Sequence, residues 1–380
     1  MKKLAFAGPW ITEAEVEYVA GAARNGFYEN ATKYMTDFEK EVQDFLGVKH
    51  AIGTHCCTLA LHLACASLGL KAGDEVITTD HSWVATAYAV AYTGAKCIFV
   101  DIDPETLCID PNTIEAAITD RTKAIMMVHN FGIPARMDEI MAIAKKHGLR
   151  VIEDAAPALG AKYKGTRVGT IGDIGCISFQ GAKIGVSSEG GVMVTNDDEL
   201  FEKAKLLASM GRTDRIWPFW SDEVGFQYTI GCLPAAMATV QLRRINELVE
   251  NKRRIYSTYA KYLSENSDIK MCHELDGDYA NYTYPAIWLS DNVKRPAIDI
   301  VNELREFNIH CRPAFPQMST FPVFASDKRF ENPVSKKFMQ KGIVLPGAHN
   351  LEEEDIKFIT KKLFDCMNVN DISGGGYRIE

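Results

Sequence analysis

The sequence of 380 residues lacks several features that mark particular classes of protein. It contains no apolar run close to the roughly 20 residues that a membrane-spanning helix needs. It also lacks a block of basic residues, and its formal net charge is −8, with 42 Lys and Arg against 50 Asp and Glu. We therefore expect neither nucleic acid nor an anionic membrane as a partner.

The ten cysteines lack any spacing that predicts a disulfide framework or a metal site. Cys56 and Cys57 are adjacent, without the two-residue gap of a zinc knuckle. The first residues are briefly apolar, but Pro9 and the acidic run from Glu13 to Glu17 end that stretch too early for a secretory signal. We therefore expect a cytoplasmic protein without a metal site.

The glycine pattern of a dinucleotide-binding fold is missing as well. After the first predicted strand, the sequence Gly53-Thr-His-Cys-Cys-Thr does not supply the Gly-x-Gly-x-x-Gly of that fold. This absence disfavours a nucleotide-dependent dehydrogenase.

What the sequence does contain is an alternation of strand and helix patterns between residues 51 and 196. Short runs rich in β-branched and apolar residues are separated by helical patterns of about ten residues. This alternation predicts an α/β fold with a largely parallel sheet that is covered on both faces. On such sheets, ligands bind beyond the carboxyl ends of the strands.

A second unit follows this alternation. A helical pattern opens at Leu233-Pro234 and runs to about Leu263, and a helix of that length commonly links two domains. We predict a large domain in residues 1–250, a smaller C-terminal α/β domain in residues 251–368, and a disordered tail in residues 369–380.

The most informative segment, residues 177–196, has two short buried-strand patterns around one lysine, Lys183. The small residues Gly181, Ala182 and Gly185 flank this lysine and allow another group to approach closely. An amine in partly apolar surroundings loses its proton more readily, and it can then attack a carbonyl to form a Schiff base. On this segment alone, a lysine on a solvated turn is an equally good interpretation.

Other strand ends carry suggestive groups, each of which also has an ordinary structural explanation. Cys57 and Thr58 open a helix whose free N–H groups suit a phosphate, although Thr58 can simply cap it. Trp83 can stack on a flat heterocycle, although such a residue more often belongs to the core. Asp154 can hold a pyridine nitrogen protonated or can cap the next helix, and Ser178 offers a hydroxyl near the lysine.

A phosphate site, a stacking ring, an acid for a ring nitrogen and a Schiff-base lysine are together what pyridoxal phosphate needs. Longer motifs accompany them between about residues 35 and 346: Thr58-Leu-Ala-Leu-His-Leu-Ala, Ile152-Glu-Asp-Ala, Ser178-Phe-(three residues)-Lys183, Glu189-Gly-Gly, Thr195-Asn-Asp and Leu345-Pro. On these motifs the chain resembles the DegT/DnrJ/EryC1/StrS family of sugar aminotransferases, and within it the perosamine synthase members most.

The resemblance implies a PLP-dependent transferase of fold type I, which is aspartate aminotransferase-like, with a mixed, mostly parallel sheet in the large domain. It also implies the roles of individual residues. Pro157 stands where the family usually has a residue that meets the cofactor hydroxyl, so we assign that contact to Asn130. The other implied cofactor contacts are the Schiff base at Lys183, the pyridinium partner Asp154, the stacking Trp83, the phosphate ligands Cys57, Thr58 and Ser178, and Gln227, which would reach the phosphate across a dimer interface.

The function that the resemblance implies is a PLP-dependent aminotransferase. It would move an amino group from an amino acid, L-glutamate in our prediction, to a keto sugar nucleotide such as an NDP-4-keto-6-deoxyhexose for surface polysaccharide biosynthesis. A small phosphorylated ketone, glycerone phosphate, stays open as the acceptor. A PLP-dependent sugar dehydratase is less favoured, because in this family it has a His at the position of Lys183.

Two further predictions concern the acceptor and the partner. Arg312 can bind a carboxylate or phosphate bidentately or can form a surface salt bridge, and His129 is a second candidate for substrate contact. We also predict a homodimer with shared active sites. The reason is an aromatic cluster in the loop of residues 217–229 that is too apolar for free exposure, namely Trp217, Phe219, Trp220, Phe226 and Tyr228.

Overall fold

The computed structural model describes residues 2–213, 215–327 and 329–368, so the predicted disorder of residues 369–380 lies outside the described residues. Within these ranges, no helix is both long and apolar enough to cross a membrane. The α-helices are α1 Glu13–Asn25, α2 Lys33–Leu46, α3 Cys57–Ser67, α4 Ala85–Ala91, α5 Pro111–Ile114, α6 Met137–His147, α7 Asp198–Ala208, α8 Cys232–Arg243, α9 Ile245–Leu263, α10 Ala297–Glu306, α11 Pro333–Lys341 and α12 Glu353–Met367.

Short 3-10 helices lie at Tyr28–Asn30, Glu115–Ala117, Asn130–Gly132, Met318–Thr320 and Pro322–Asp327. The strands are β1 His50–Thr54, β2 Glu75–Thr79, β3 Lys96–Val100, β4 Thr122–Val128, β5 Arg150–Asp154, β6 Lys162–Tyr163, β7 Thr166–Arg167, β8 Ile174–Ser178, β9 Gly191–Thr195, β10 Ile269–Met271, β11 Ala286–Leu289, β12 Arg312–Pro313 and β13 Gly342–Val344.

The larger sheet has seven strands in the order β1-β9-β8-β5-β4-β2-β3. Strands β8, β5, β4, β2 and β3 pair in parallel, and β9 runs antiparallel to both of its neighbours. The prediction of an α/β fold with a mixed, mostly parallel sheet is confirmed. Because the parallel strands end at one edge, the residues that follow them are brought together there.

Helices cover both faces of this sheet, and each face has its own apolar core. On one face α2 contributes Phe38, whose ring meets Phe179 edge-on at 5.2 Å between centroids. On the other face α3 contributes Leu61 and α7 contributes Leu207. Burial of each such side chain stabilises the fold by about 1.5–3 kcal/mol. The strand ends therefore project from a sheet that is packed on both faces.

The smaller sheet is antiparallel, in the order β10-β11-β13-β12, and packs against α9, α10 and α12. The N-terminal residues belong with it, which differs from the predicted domain of residues 1–250. Leu4 is buried in the core of this sheet and bridges to Ile309 in parallel. The division near residue 250 itself stays a prediction, and α9 spans it as one helix.

Two helix predictions differ from the structure. The single helix expected from Pro234 to about Leu263 is divided at Arg244, whose guanidinium turns away to bind Glu15 at 2.6 Å. A helix over residues 13–25 was not predicted. It begins with a capping box in which the Thr12 N–H donates to Glu15 Oε2 at 2.8 Å, a signature visible in the sequence.

Candidate active site

The residues predicted to carry the chemistry meet at the carboxyl edge of the large sheet. Ser178, the last residue of β8, pairs with Gly191 of β9, and Gly191 pairs with Thr54 of β1. Asp154 ends the adjacent strand β5. The carboxyl ends of β1, β8 and β5 thus meet at one edge of the sheet, together with the amino end of the antiparallel strand β9.

A cradle of backbone donors forms where helix α3 begins, next to the first residue of β9. The N–H groups of Cys57 and Thr58 have no acceptor among the described residues, as expected for the first turn of a helix. Gly191 permits this approach, because a Cβ there would lie 2.5 Å from the nitrogen of Cys57. These donors, the helix dipole and the Ser178 hydroxyl form a set that suits a phosphate dianion.

The Cys57 thiol, on the first residue of α3, is buried and does not oppose an anion. Burial raises its pKa well above the ordinary value, and the Asp154 carboxylate raises it further, whereas the charge of Lys183 lowers it. The side chain is therefore a neutral thiol at physiological pH. Its contribution is shape and a weak S–H donor rather than charge.

Asp154 is anchored by two donors and is only 4% exposed. The Thr86 hydroxyl donates to Oδ2 at 2.7 Å, and the Ala156 N–H donates to Oδ1 at 3.1 Å. Burial raises the pKa of Asp154, while these two hydrogen bonds and the charge of Lys183 oppose the rise. A buried carboxylate of this kind is stabilised by a cationic partner, and a protonated pyridine nitrogen is such a partner.

Thr86 was not predicted as a site residue, although the sequence contains a signal for it. The residue lies in the first turn of α4, a short helix of otherwise apolar or aromatic residues. Thr86 is buried there, and its hydroxyl also lies 3.2 Å from that of Ser82. A buried polar residue on an apolar helix next to a predicted acid indicates a hydrogen bond to that acid.

Lys183 lies in the loop between β8 and β9 and is half-buried. The positive charge of Lys183 lowers the pKa of both Asp154 and Cys57, against the rise that burial causes. Its Nζ also lies 5.9 Å from the ring centroid of Tyr284, and the Tyr284 hydroxyl donates to the carbonyl of Ala182 at 2.6 Å. Tyr284, which was not predicted, thus fixes the lysine loop from the C-terminal unit.

Trp83 stands at the rim of the same space, on the segment that follows β2. Its indole is 59% exposed, and its closest aromatic neighbour is Phe315, at 6.0 Å between centroids. The Thr86 hydroxyl also lies 3.2 Å from the Trp83 carbonyl. The indole is therefore a flat apolar surface next to the anchored acid.

These groups fit pyridoxal phosphate. The α3 donors and Ser178 suit its phosphate, Asp154 suits its ring nitrogen, and the Lys183 amine suits its aldehyde. Trp83 supplies a surface for its ring.

The contact assigned to Asn130 stays a prediction, and the structure limits the form it can take. Both hydrogens of its side-chain amide are engaged, donating to the carbonyls of His81 at 2.8 Å and Leu107 at 2.6 Å. Asn130 can therefore meet a cofactor hydroxyl only as an acceptor, through Oδ1. Its buried amide ties the β4 loop to two neighbouring segments.

His129 is not placed to contact a substrate, and that prediction is wrong. The ring is fully buried, its Nδ1 accepts the Ala135 N–H at 3.1 Å, and its Nε2 lies 3.0 Å from Glu153. Since Nδ1 is an acceptor, the Nε2 hydrogen donates to the carboxylate. Glu153 also accepts backbone N–H groups of the segment 169–172 at 2.6 to 2.7 Å, so the pair fixes loops behind the site.

Gln227 and Arg312 lie on the surface, in different places. Gln227 is exposed beside the end of β1, where its amide donates to the Thr229 hydroxyl at 3.1 Å. Arg312 is exposed on β12, and its guanidinium lies 4.4 Å from the ring centroid of Phe6. No carboxylate among the described residues pairs with Arg312, so the alternative of a surface salt bridge is not realised there.

Known proteins match this chain over nearly its full length. The chain is 35% identical over 358 residues to the GDP-perosamine synthase of Caulobacter vibrioides, covering 94% of this chain and 96% of that protein. It is 34% identical over 371 residues to the GDP-perosamine synthase of Escherichia coli O157:H7, covering 98% and 99%.

Among solved structures, DesI in the presence of its TDP-sugar product superposes with a TM-score of 0.88 at 27% identity, covering 96% of this chain and 93% of that chain. The sequence profile of the DegT/DnrJ/EryC1/StrS aminotransferase family matches residues 9–364. The protein belongs to this family and is a pyridoxal phosphate-dependent aminotransferase.

Proposed function

We propose that this aminotransferase moves an amino group from L-glutamate to a keto sugar nucleotide, such as an NDP-4-keto-6-deoxyhexose, in surface polysaccharide biosynthesis. The observation that carries the proposal is the end-to-end similarity to proteins named for making GDP-perosamine. DesI, whose structure was solved in the presence of its TDP-sugar product, supports the same acceptor class.

The side chains of the site have distinct tasks in this proposal. When bound, pyridoxal phosphate supplies an electron sink for the carbanion at the carbon that carries the amino group. Asp154 would hold a proton on the ring nitrogen, which strengthens that sink. The Lys183 amine would move a proton between the donor Cα and the cofactor, and Trp83 would hold the ring in place. Ser178 and the first turn of α3 would bind the phosphate.

Two other reactions receive less support. Glycerone phosphate as the acceptor is favoured neither by the relatives named above nor by any contact of the site. A sugar dehydratase of this family would have a His where this chain has Lys183. The amine retained there favours transamination.

The second half-reaction tests the acceptor directly. The purified protein would be loaded with pyridoxamine phosphate and offered GDP- and dTDP-4-keto-6-deoxyhexoses and glycerone phosphate, each in a separate experiment. We expect the visible absorbance of the pyridoxal form to return with a nucleotide sugar. Its return with glycerone phosphate alone would overturn the proposed acceptor.

A homodimer with shared active sites is part of the proposal. In the loop of residues 217–229, Phe226 and Tyr228 stack on each other at 4.7 Å and pack near His62. By contrast, Trp217 is 72% exposed and Phe219 is 78% exposed, which supports a surface covered by a second chain. Gln227 of that loop would then reach the cofactor phosphate of the partner.

Light scattering coupled to an activity assay tests the dimer. We expect a mass of twice the chain, and we expect Trp217→Glu to shift the protein towards monomer with loss of cofactor. A fully active monomer would refute the shared site. We further propose a cytoplasmic location, which the ten unpaired thiols of the structure support, because such thiols suit a reducing compartment.

A further inference from the structure

A second cavity, of about 460 Å³, opens beside the lysine loop. Its walls are the N-terminal residues 3 and 5–7, residues 180–182 just before Lys183, and Arg305 at the end of α10 with residues 310–312. We call it the basic cleft. Its N-terminal wall is held by backbone hydrogen bonds, from the Leu4 N–H to Asn308 at 2.9 Å and from the His310 N–H to Leu4 at 3.0 Å.

None of the residues that line the basic cleft is acidic, and burial raises the pKa of its one thiol, Cys311, which is therefore neutral. Four of the lining side chains are basic. They are Lys3, Arg305, His310 and Arg312. This contrasts with a chain whose net charge is −8. Like charges gathered without a counter-charge repel one another, so an anion bound among them is stabilised.

The arginines and the lysine of the cleft have no ionic partner in the part of the chain that the structure describes. Arg305 has only a hydrogen bond from Nη1 to Asn302, at 3.3 Å, and no carboxylate pairs with Lys3. Partial burial lowers the pKa of His310, and the charges of Lys3 and Arg305 lower it further. His310 is therefore a neutral donor or acceptor, next to cations whose charges are unpaired.

Stacked contacts connect the cleft to the reactive amine. The Arg312 guanidinium lies 4.4 Å from the Phe6 ring, Phe6 stacks on Tyr284 at 4.9 Å, and Lys183 Nζ lies 5.9 Å from the Tyr284 ring. Two aromatic rings thus separate the cationic groups from the lysine. The cleft is also distinct from the phosphate cradle at α3, since none of its lining residues belongs to that cradle.

We propose that the basic cleft binds the diphosphate of a nucleotide-linked acceptor, a specification that rests on the proposed function. In a sugar nucleotide, the width of the sugar ring separates the keto carbon from the diphosphate, which matches a cationic site set apart from the amine. A small phosphorylated ketone has its phosphate only a few bonds from the carbonyl. A guanidinium binds phosphate oxygens bidentately, so Arg305 and Arg312 suit the two phosphoryl groups.

Binding to the holoenzyme, measured by calorimetry without turnover, tests this assignment. The probes are GDP, dTDP and inorganic pyrophosphate, with glutamate and 2-oxoglutarate as the competing anions. The variants are Arg305→Gln and the double variant Lys3→Gln/Arg305→Gln. Both side chains are exposed, so folding should be preserved, and thermal unfolding verifies this. Lys361→Gln, an exposed lysine on α12 outside the cleft, is the control with the same change of charge.

We expect at least one probe that contains a diphosphate to bind, with its dissociation constant raised about tenfold for each charge removed and unchanged in Lys361→Gln. Equal binding by the wild type and the double variant would overturn the inference. So would displacement of the diphosphate by glutamate at the cleft, which would assign it to the donor carboxylates. Neither result depends on the transamination test above, so the two proposals can fail separately.

Discussion

The cofactor end of the site and the basic cleft lie close together but are built in opposite ways. At the cofactor end, Asp154, Ser178 and Cys57 are buried, and the carboxylate of Asp154 is fixed by two hydrogen bonds. In the cleft, Lys3 and Arg305 are exposed and lack ionic partners among the described residues. The fold itself holds the polar groups of the first region in place, whereas the charges of the cleft are left for a bound anion to pair with.

This contrast follows from what each region does. Proton transfer gains from groups that are fixed before the reaction in surroundings that exclude water, because little reorganisation is then needed. An acceptor that must enter and leave in every cycle is better held by solvated charges, whose attraction is moderate and reversible. Substitutions should therefore have very different effects in the two regions.

The largest expected effect is at Lys183. Lys183→Ala should lower the rate of both half-reactions by roughly 10⁴-fold or more, because the general acid–base group is removed together with the nucleophile. The rates would be followed by cofactor absorbance in single turnovers, with the exposed Lys71→Ala as control. Borohydride reduction of the wild type, followed by peptide mapping, should attach the cofactor to Lys183. Attachment to another lysine would reject the assignment.

Asp154→Asn should have the next largest effect. The amide preserves the shape of the carboxylate but cannot hold a proton on a ring nitrogen, so we expect the rate to fall by about three powers of ten while most of the cofactor stays bound. Cofactor content and the glutamate half-reaction would be measured in parallel, with the exposed Asp120→Asn as the matched variant. A nearly unchanged rate would mean that another residue serves the ring.

Thr86→Val should have an intermediate effect, with a signature in the pH profile. Its hydrogen bond lowers the pKa of Asp154 against the rise caused by burial, so removing the hydroxyl should raise that pKa. The reaction needs the carboxylate form, and the acidic limb of kcat/KM should therefore move to higher pH, with a loss of about tenfold or more near that limb. Thr86→Ser should restore the wild-type profile. An unshifted limb in Thr86→Val would contradict the role of this hydroxyl.

The sequence was informative where the required chemistry is local. Lys183, Asp154 and Ser178 stand at or just beyond strand ends, and the strand pattern alone predicts the sheet edge to which they belong. Thr86 and Tyr284 were missed because their importance comes from a contact across the fold: Thr86 meets an acid 68 positions away, and Tyr284 meets the lysine loop 102 positions away.

The wrong prediction for His129 and the limit on Asn130 have the same physical origin. Asn130 and His129 are polar residues after a strand, as catalytic residues often are. In the structure, however, both amide hydrogens of Asn130 bond to backbone carbonyls, and the two ring nitrogens of His129 bond to a backbone N–H and to the Glu153 carboxylate. A sequence shows which groups can form hydrogen bonds but not which bonds the fold has already used. The basic cleft could not be predicted for a related reason. Lys3 and Arg305 are far apart in the sequence and become neighbours only when the N-terminal segment pairs with the C-terminal unit.

The smallest expected effect is the response to salt, which separates the two regions without any mutation. Raising the ionic strength from about 0.1 M to about 1 M shortens the screening length from about 10 Å to about 3 Å. The exposed charges of the cleft should then attract a diphosphate less, and we expect the KM of the nucleotide-linked acceptor to rise about three- to tenfold. The buried Asp154 is screened far less, so the glutamate half-reaction at saturating donor should change by less than about twofold.

The two quantities would be measured on the same preparation, with potassium chloride and potassium glutamate compared to exclude a specific effect of chloride. Equal sensitivity of both would mean that the acceptor is held by buried groups, and the contrast between the regions would then be wrong.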